Sequence, residues 1–238
     1  MLRTLVRLSL ILSSVCLLGG CITMGLHETA RTTPKGKVEC GVIAAPLIVV
    51  QGTESTVEEW PVIVMPYSEL SANIGLSDNS DIGFRWAFNP GIGINGKYRL
   101  ACGGVDVAAR LGASFYYYPF GLLSAGNDWT CYSLSPRIVV SREPESGLGW
   151  AFNAGLDYYG MSLIAGAEEI TGRELVFLGA GAGLPFRPFK SVRLMPEVDV
   201  SLPLQGSVDY EGGTWFLPGM YHYPRLSLGI SLQVPASP

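Results

Sequence analysis

The chain has 238 residues, of which 48% are hydrophobic and 15% are charged, and its formal net charge is −4. This length suits one domain, with ample apolar content for a core or a lipid-facing belt. An acidic chain with scattered arginines lacks the basic footprint of a nucleic-acid-binding protein. The low charge and the 30 glycines argue against a disordered chain. Two histidines and no CxxC motif leave little material for a zinc or haem site, so we expect no cofactor.

Residues 1–20 have the features of a secretory signal peptide. Arg3 and Arg7 precede an apolar run that ends at Leu18, and small residues follow. The apolar run is too short to span a bilayer as a helix. No later run approaches the length that a membrane helix needs, so the remaining chain is expected to be either tethered to a membrane or a spanning β-barrel.

The residues at the end of this leader, Leu-Gly-Gly-Cys at 18–21, resemble the lipobox of bacterial lipoproteins. The resemblance implies cleavage before Cys21 and lipidation of that cysteine, which would hold the chain at a membrane without a helix. The alternative is an ordinary secretory cleavage near Gly20 that leaves Cys21 as a free thiol. In lipoproteins an aspartate after the cysteine commonly retains the protein at the inner membrane. Ile22 stands there in this chain, which favours the outer membrane.

Residues 21–36 are small and polar, and they contain Pro34 and Gly36. This composition predicts an acylated N-terminal tether. Residues 37–234 form the predicted barrel domain, because apolar and polar residues alternate there with the period of two that is typical of strands. Residues 235–238 are left as a C-terminal tail. Only 159–170 is a candidate for a short helix, so the fold class is all-β.

The alternation predicts ten strands, at 37–48, 67–76, 81–88, 95–101, 105–117, 131–142, 148–158, 174–184, 190–202 and 222–234. Long and short connections alternate between them. Bacterial outer-membrane barrels have this arrangement, with short periplasmic turns, longer external loops and both termini in the periplasm. Turn residues occupy the short connections at 77–80, 103–104 and 143–147. We therefore predict an antiparallel up-and-down transmembrane β-barrel of about ten strands, within a range of eight to twelve.

The charged residues predict which face of the strands points inward. The polar faces carry six acidic and six basic residues: Glu39, Glu69, Arg85, Lys97, Arg99, Asp106, Arg110, Arg137, Asp157, Arg193, Glu197 and Asp199. A solvent-facing surface does not need such a balance, whereas each charge in a narrow lumen must find a partner. We therefore predict a lumen ion-pair network, with the apolar faces turned to lipid.

Aromatic residues lie near the predicted strand ends, where interfacial girdles form in membrane barrels. They are Trp86, Trp150, Tyr116, Tyr117, Tyr118, Tyr132, Tyr158 and Tyr159. The alternative for these residues is plain core packing. The chain ends at Pro238 and lacks the terminal aromatic residue on which many outer-membrane barrels end.

Three stretches resemble those of bacterial outer-membrane β-barrel lipoproteins of the small-barrel type. They are TARTTPKGK at 29–37, GLSDNSDIGFR at 75–85 and GKYRL at 96–100. In such proteins a tether leads into the first strand, and a hairpin follows. The resemblance covers residues 18–101 in motifs and the remainder in pattern only. It implies an outer-membrane location and a barrel architecture, and it brings no catalytic residues.

Several short motifs have structural interpretations. Gly91–Gly96 matches GxGxxG, but a proline precedes it and a strand-like segment follows, so we predict a hairpin loop. Gly179–Gly183 lies inside a strand, where small residues are expected to relieve crowding in the lumen. Asp78, Asn79 and Asp81 are candidate ligands for a hard cation, but their spacing is more typical of a tight turn, so we predict no metal site.

The strongest catalytic candidate is His222, at the loop end of the last strand, with Ser207, Asp209 and Glu211 in the preceding loop. Histidine is the natural general base near neutral pH. No nucleophile motif accompanies it, so we expect a hydrogen-bonding histidine at the rim and no enzyme. Cys40, Cys102 and Cys131 are expected to remain unpaired, because Cys102 and Cys131 fall at opposite ends of the predicted barrel.

The predicted outer loops contain apolar clusters at 120–129, 161–164 and 215–217. These clusters are either a binding surface or strand residues beyond the predicted boundaries. We expect a monomeric outer-membrane lipoprotein with a structural or interaction role, in contact with outer-membrane lipid. A cell-surface or envelope protein would bind through the apolar loops, and no nucleic acid would bind. The alternatives are a narrow passive pore, a tethered soluble barrel that binds lipid, and a rim-located lipid-modifying enzyme.

Overall fold

The structure is a computed structural model that describes residues 27–50, 62–87, 91–119, 127–143, 147–165, 168–189, 192–209 and 225–235. Its strands are β1 (Val38–Val50), β2 (Val62–Ser77), β3 (Ser80–Ala87), β4 (Gly91–Ala101), β5 (Asp106–Pro119), β6 (Asn127–Arg142), β7 (Trp150–Ala165), β8 (Glu168–Gly183), β9 (Phe186–Phe189), β10 (Val192–Asp209) and β11 (Arg225–Pro235). Within these ranges no helix is long and apolar enough to cross a bilayer.

Ten of these strands close into a barrel. Strands β1 to β7 each pair with the next in antiparallel fashion, β8 pairs with β10, and β10 pairs with β11. Strand β11 pairs in turn with β1, which completes the ring. The short strand β9 pairs only with the start of β10 among the described strands. The predicted antiparallel up-and-down barrel of about ten strands is confirmed.

The two ends of the barrel differ in their connections. One end, called here the turn end, contains the β2–β3 turn at 78–79, the β4–β5 connection at 102–105 and the β6–β7 connection at 143–149. These are the three short turns that the sequence predicts. Gly147 has a φ of +93°, a left-handed conformation that residues with a side chain rarely adopt. The opposite end is called the loop end.

The exterior of the barrel is apolar and its interior is polar. Along β3 the side chains of Ile82, Phe84 and Trp86 are 45%, 50% and 51% exposed, whereas those of Asp81 and Arg85 are buried. The other strands repeat this alternation, with leucine, isoleucine and valine outward. A water-soluble barrel has the reverse arrangement, because its apolar side chains must avoid water. The predicted outward direction of the apolar faces is therefore confirmed, and the architecture is that of a transmembrane barrel.

Two predicted elements are wrong. Residues 159–165 and 168–170 continue β7 and β8 as paired strands, not as a helix, so these strands extend farther than the sequence indicates. The apolar residues at 161–164 therefore belong to a strand. Residues 91–96 are the start of β4, not a hairpin loop. Their glycines and isoleucines alternate between the lumen and the exterior, so the motif follows the period of a strand.

The predicted aromatic girdle is correct only in part. Trp86, Tyr117 and Tyr132 point outward and are 41% to 53% exposed. Tyr116 and Tyr159 point into the lumen and are almost fully buried. These two residues therefore follow the alternative interpretation, core packing.

Residues 27–35 lie inside the barrel, although they come from the part of the chain that reads as a tether. We call them the lumenal segment. Lys35 forms a parallel bridge with Gly75 of β2 at the turn end, and the Gly75 carbonyl accepts a hydrogen bond from the Gly36 N–H at 2.9 Å. A Cβ atom on Gly75 would lie 2.1 Å from the Pro34 carbonyl oxygen. Position 75 must therefore be glycine for the segment to approach this closely.

We predict that Gly75→Val moves the lumenal segment away from the turn end, because its side chain would overlap backbone atoms of Thr33 and Pro34. The measurement is the rate at which trypsin cleaves the folded protein after Arg31 and Lys35, and we expect a clear increase. Gly96→Val is the matched control, since a Cβ atom there meets nothing within 4 Å. Equal cleavage rates in the two variants would contradict this account of Gly75.

Candidate functional site

The lumenal segment runs from the turn end toward the middle of the lumen. Near the turn end, the Thr32 hydroxyl donates to the Asp78 carbonyl at 2.9 Å, and the Thr33 N–H donates to the Asp81 carboxylate at 2.8 Å. At its other end, the ring of His27 lies against Gly229 of β11, whose added Cβ atom would be 2.2 Å from the ring. His27, Glu28, Thr29, Ala30, Thr32 and Thr33 are all buried. These six residues therefore lie within the lumen, in contact with its wall.

Glu28 is the centre of the contacts on one side of the lumen. Its carboxylate oxygens lie 2.6 Å from Arg85, 3.5 Å from Lys97 and 3.5 Å from Arg110. These cations come from the consecutive strands β3, β4 and β5. The register pairs Lys97 directly with Arg110, while Arg85 lies four residues farther along β3 than Asp81, the partner of Lys97, and reaches Glu28 from there. A carboxylate bound by several cations forms strong charge-assisted hydrogen bonds.

The wall around Glu28 carries one more cation than anion without it. Glu69 lies 3.1 Å from Arg85, and Asp81 lies 3.4 Å from Lys97. Two wall carboxylates therefore face the three cations Arg85, Lys97 and Arg110. Glu28 supplies the third negative charge, which makes this side of the lumen neutral. Burial of a charge without such a partner costs roughly several kcal/mol. The neutralisation by Glu28 therefore stabilises the docked segment.

The charges around Glu28 determine its protonation. Burial alone would raise the pKa of its carboxyl group, but Arg110, Lys97 and Arg85 outweigh burial and lower this pKa well below its usual range. Glu28 is therefore an anion at all physiological pH values, as its contacts with three cations require.

The opposite side of the lumen is acidic and receives the other face of the segment. The backbone N–H of His27 donates to the Glu197 carboxylate at 2.8 Å, and the Gln233 amide donates to the His27 carbonyl at 2.7 Å. The His27 ring lies against Gly229 of β11, whereas the Glu28 carboxylate lies among cations of β3 to β5. The two residues therefore meet different walls, and the segment matches the polarity of both.

Small residues make room for the charged groups of this acidic wall. Arg137 forms an ion pair with Asp157 at 2.5 Å, and it lies 4.0 Å from Asp199. A Cβ atom on Gly179 would lie 2.3 Å from the Arg137 guanidinium, and one on Gly181 would lie 2.1 Å from the Asp199 carboxylate. The prediction that this glycine run relieves crowding in the lumen is confirmed at these two positions.

A third cluster closes the turn end. Glu143 accepts from Arg187 at 2.6 Å, from Arg193 at 2.7 Å and from the Thr29 hydroxyl at 3.1 Å. Arg193 also contacts Glu39 at 2.5 Å. Burial raises the pKa of Glu143, but Arg193 and Arg187 outweigh it, so that this pKa is lowered. Sequence analysis missed Glu143 because it follows β6 in a turn, where a glutamate reads as solvated.

Nearer the loop end, Arg225 of β11 is buried between aromatic rings. Its guanidinium carbon lies 3.7 Å from the centre of the Phe177 ring and 5.4 Å from that of Tyr159. This geometry is that of a cation–π interaction. Arg225 is not among the twelve residues of the predicted network, because a balance of charges does not reveal a cation that packs against aromatic rings.

The structure brings together most of the twelve residues of the predicted network. Nine of them are buried in the lumen: Glu69, Arg85, Lys97, Arg110, Arg137, Asp157, Arg193, Glu197 and Asp199. Glu39 is half-buried against Arg193. Arg99 lies at the turn end and donates to the Asp78 carbonyl, and Asp106 is half-buried at the start of β5.

Several of the remaining candidates lie outside the part of the chain that the structure describes. His222, Glu211 and Cys21 lie outside the described residues, as do the apolar residues at 120–123 and 215–217. The side chains of Ser207 and Asp209 lie outside them as well. Asp78 and Asn79 form the predicted tight turn, and Asp81 contacts Lys97. The described part of the chain holds no group of three metal-ligating side chains, and Cys40, Cys102 and Cys131 are free.

No protein-family model matches the chain, and no curated protein matches it. Solved structures do. Neisserial surface protein A is 12% identical, with 83% of this chain and 96% of that one covered and a TM-score of 0.42. The outer-membrane protease OmpT from Escherichia coli is 9% identical (88% and 100% covered, TM-score 0.43). The outer-membrane protein OprG from Pseudomonas aeruginosa is 8% identical (89% and 100% covered, TM-score 0.41). At these identities the similarity concerns the fold.

Proposed function

We propose that this protein is an outer-membrane lipoprotein with a structural or interaction role, whose lumen is closed by ion pairs and by its own N-terminal segment. The observation that carries the proposal is the position of Glu28, buried among Arg85, Lys97 and Arg110. A channel needs a hydrated path, whereas here the side chains of residues 27–30, 32 and 33 are buried against the wall.

The proposed location follows from the exterior of the barrel and from the leader. A continuous apolar exterior over a charged interior is stable only where lipid surrounds the barrel. The predicted signal peptide directs the chain across the inner membrane, and the predicted lipidation of Cys21 with Ile22 after it favours the outer membrane. The interaction role would belong to the loop end, where the longer connections lie.

Two measurements test this proposal. The Cys21→Ser variant, extracted from membranes and analysed in SDS with and without boiling, should need detergent and should migrate faster unboiled, because the closed barrel stays folded. A protein released in water without a mobility change would contradict a spanning barrel.

Closure is tested separately, by the current through a planar bilayer that contains the purified wild-type protein. We expect no steady ion conductance at pH 7, because the lumenal segment fills the lumen. Steady single-channel currents in the wild type would favour the narrow passive pore instead.

We predict that acidification weakens the docking of the lumenal segment through His27. Burial, aided by Arg85 and opposed by Glu28, lowers the pKa of His27 from 6.5 to about 3. The docked state therefore resists protonation, while a released, solvated His27 gains a proton as the pH falls below 6.5. The docking free energy therefore has its full value above pH 6.5. At pH 5 it is weaker by about 2 kcal/mol, which lowers the equilibrium constant for docking about thirtyfold.

The measurement is the fraction of time for which the bilayer conducts at pH 7 and at pH 5. Glu28 remains ionised over this interval, so its contacts do not mask the effect. His27→Asn is the matched control, because asparagine does not titrate and should abolish the pH dependence. An unchanged pH dependence in that variant would assign it to another group.

A further inference from the structure

We propose that Arg85, Lys97 and Arg110 form a carboxylate-binding site in the lumen wall, and that the lumenal segment is a removable ligand of this site. The inference rests on the proposed closed barrel and goes beyond it, because it makes closure a binding equilibrium. The chemical class of the ligand is an extended peptide that carries a carboxylate.

The segment is held in the manner of a ligand and is not part of the wall. Among the described residues, its only backbone bridge to a strand is Lys35 with Gly75, at the turn end. Residues 27–33 are bonded to the barrel through side chains, such as those of Glu28, Glu197 and Ser141. The barrel closes through β1 and β11, which pair without the segment. Withdrawal of the segment therefore breaks no pairing between strands.

A pivot for such a withdrawal lies at Gly36. Its φ is +71°, a conformation that favours glycine, and a Cβ atom there would meet nothing within 4 Å. Residue 36 lies in the turn that joins the segment to β1. Rotation at this one position can carry residues 27–35 out of the lumen while β1 stays in place.

The site retains its chemistry when the segment leaves. Among the described residues, Arg85, Lys97 and Arg110 would still contact the wall acids Glu69 and Asp81, and these five groups carry one net positive charge. The opposite wall, with Asp157, Glu197 and Asp199 around Arg137, would remain acidic. A returning ligand therefore needs a carboxylate on one face and hydrogen-bond donors on the other.

The experiment uses the full-length chain with Glu28→Lys, reconstituted in a planar bilayer. A lysine at position 28 faces three cations, so the segment should leave the lumen and steady conductance should appear. Lys35→Glu is the matched control, because it reverses a charge on an exposed residue of the same segment. Faster migration of the unboiled protein in SDS shows that each variant has folded. Should Glu28→Lys fail to fold, Gly75→Val releases the segment without touching the three cations.

The conducting variant is then exposed to a synthetic peptide of residues 22–35, added on the turn-end side. We expect the peptide to stop the current, and the same peptide with Glu28→Gln to bind about tenfold less tightly, because it lacks the charge that the site recognises. Citrate, a small carboxylate, is added in the same way. Block by citrate would indicate a general anion site, whereas block by the peptide alone would indicate a site that also needs the peptide backbone.

The outcomes separate this site from the closed barrel itself. Conductance in the wild type would contradict the proposed closure and leave nothing for the segment to close. A folded, non-conducting Glu28→Lys variant would show that the segment is not removable and would overturn the inference. Equal block by the unsubstituted peptide and by the Glu28→Gln peptide would overturn the carboxylate site. Block by the unsubstituted peptide, weaker block by the substituted one and no effect of Lys35→Glu would establish it.

Discussion

The structure depends on one constraint: every charge in the narrow lumen must be neutralised by a neighbour, because water cannot solvate it fully there. Strands β3 to β5 bring three cations to one wall, and strands β7 to β10 bring three carboxylates to the other. Neither wall is balanced alone. The excess positive charge of the cationic wall is neutralised by Glu28, a residue from outside the barrel strands. This contact requires the N-terminal segment to lie inside the barrel.

The small size of several lumen-facing residues follows from the same constraint. A guanidinium that lies across the lumen needs its facing positions to be small, and the glycines at 179 and 181 provide this beside Arg137 and Asp199. Gly83 does the same for Asn73 and Asn95 on the neighbouring strands. The exterior faces of these strands carry large apolar side chains, so the alternation of the sequence reflects both size and polarity.

Much of the fold could be predicted from the sequence, because a period of two and balanced charges both follow from a barrel with a polar interior. The docking of the segment could not. Its threonines, proline and glycine have the composition of a linker, and the twelve predicted wall charges balance when counted together. The local excess beside Glu28 emerges only in the folded barrel, where the side chains of Arg85, Lys97 and Arg110 converge on this one carboxylate. The position of Tyr159 is mispredicted because a tyrosine near a strand end is typical of an interfacial girdle, whereas the alternation of β7 places it on the same inward face as Asn153 and Asp157.

The seam between β1 and β11 has a consequence for the order of assembly. The lumenal segment leads directly into β1, which is one side of this seam, and residues 27–33 lie within the ring that the seam completes. The pairing of β1 with β11 does not involve residues 27–33, and the segment reaches β1 through the turn at Gly36. The ring can therefore close before or after the segment enters it. Closure of the barrel and filling of its lumen are separable steps of assembly.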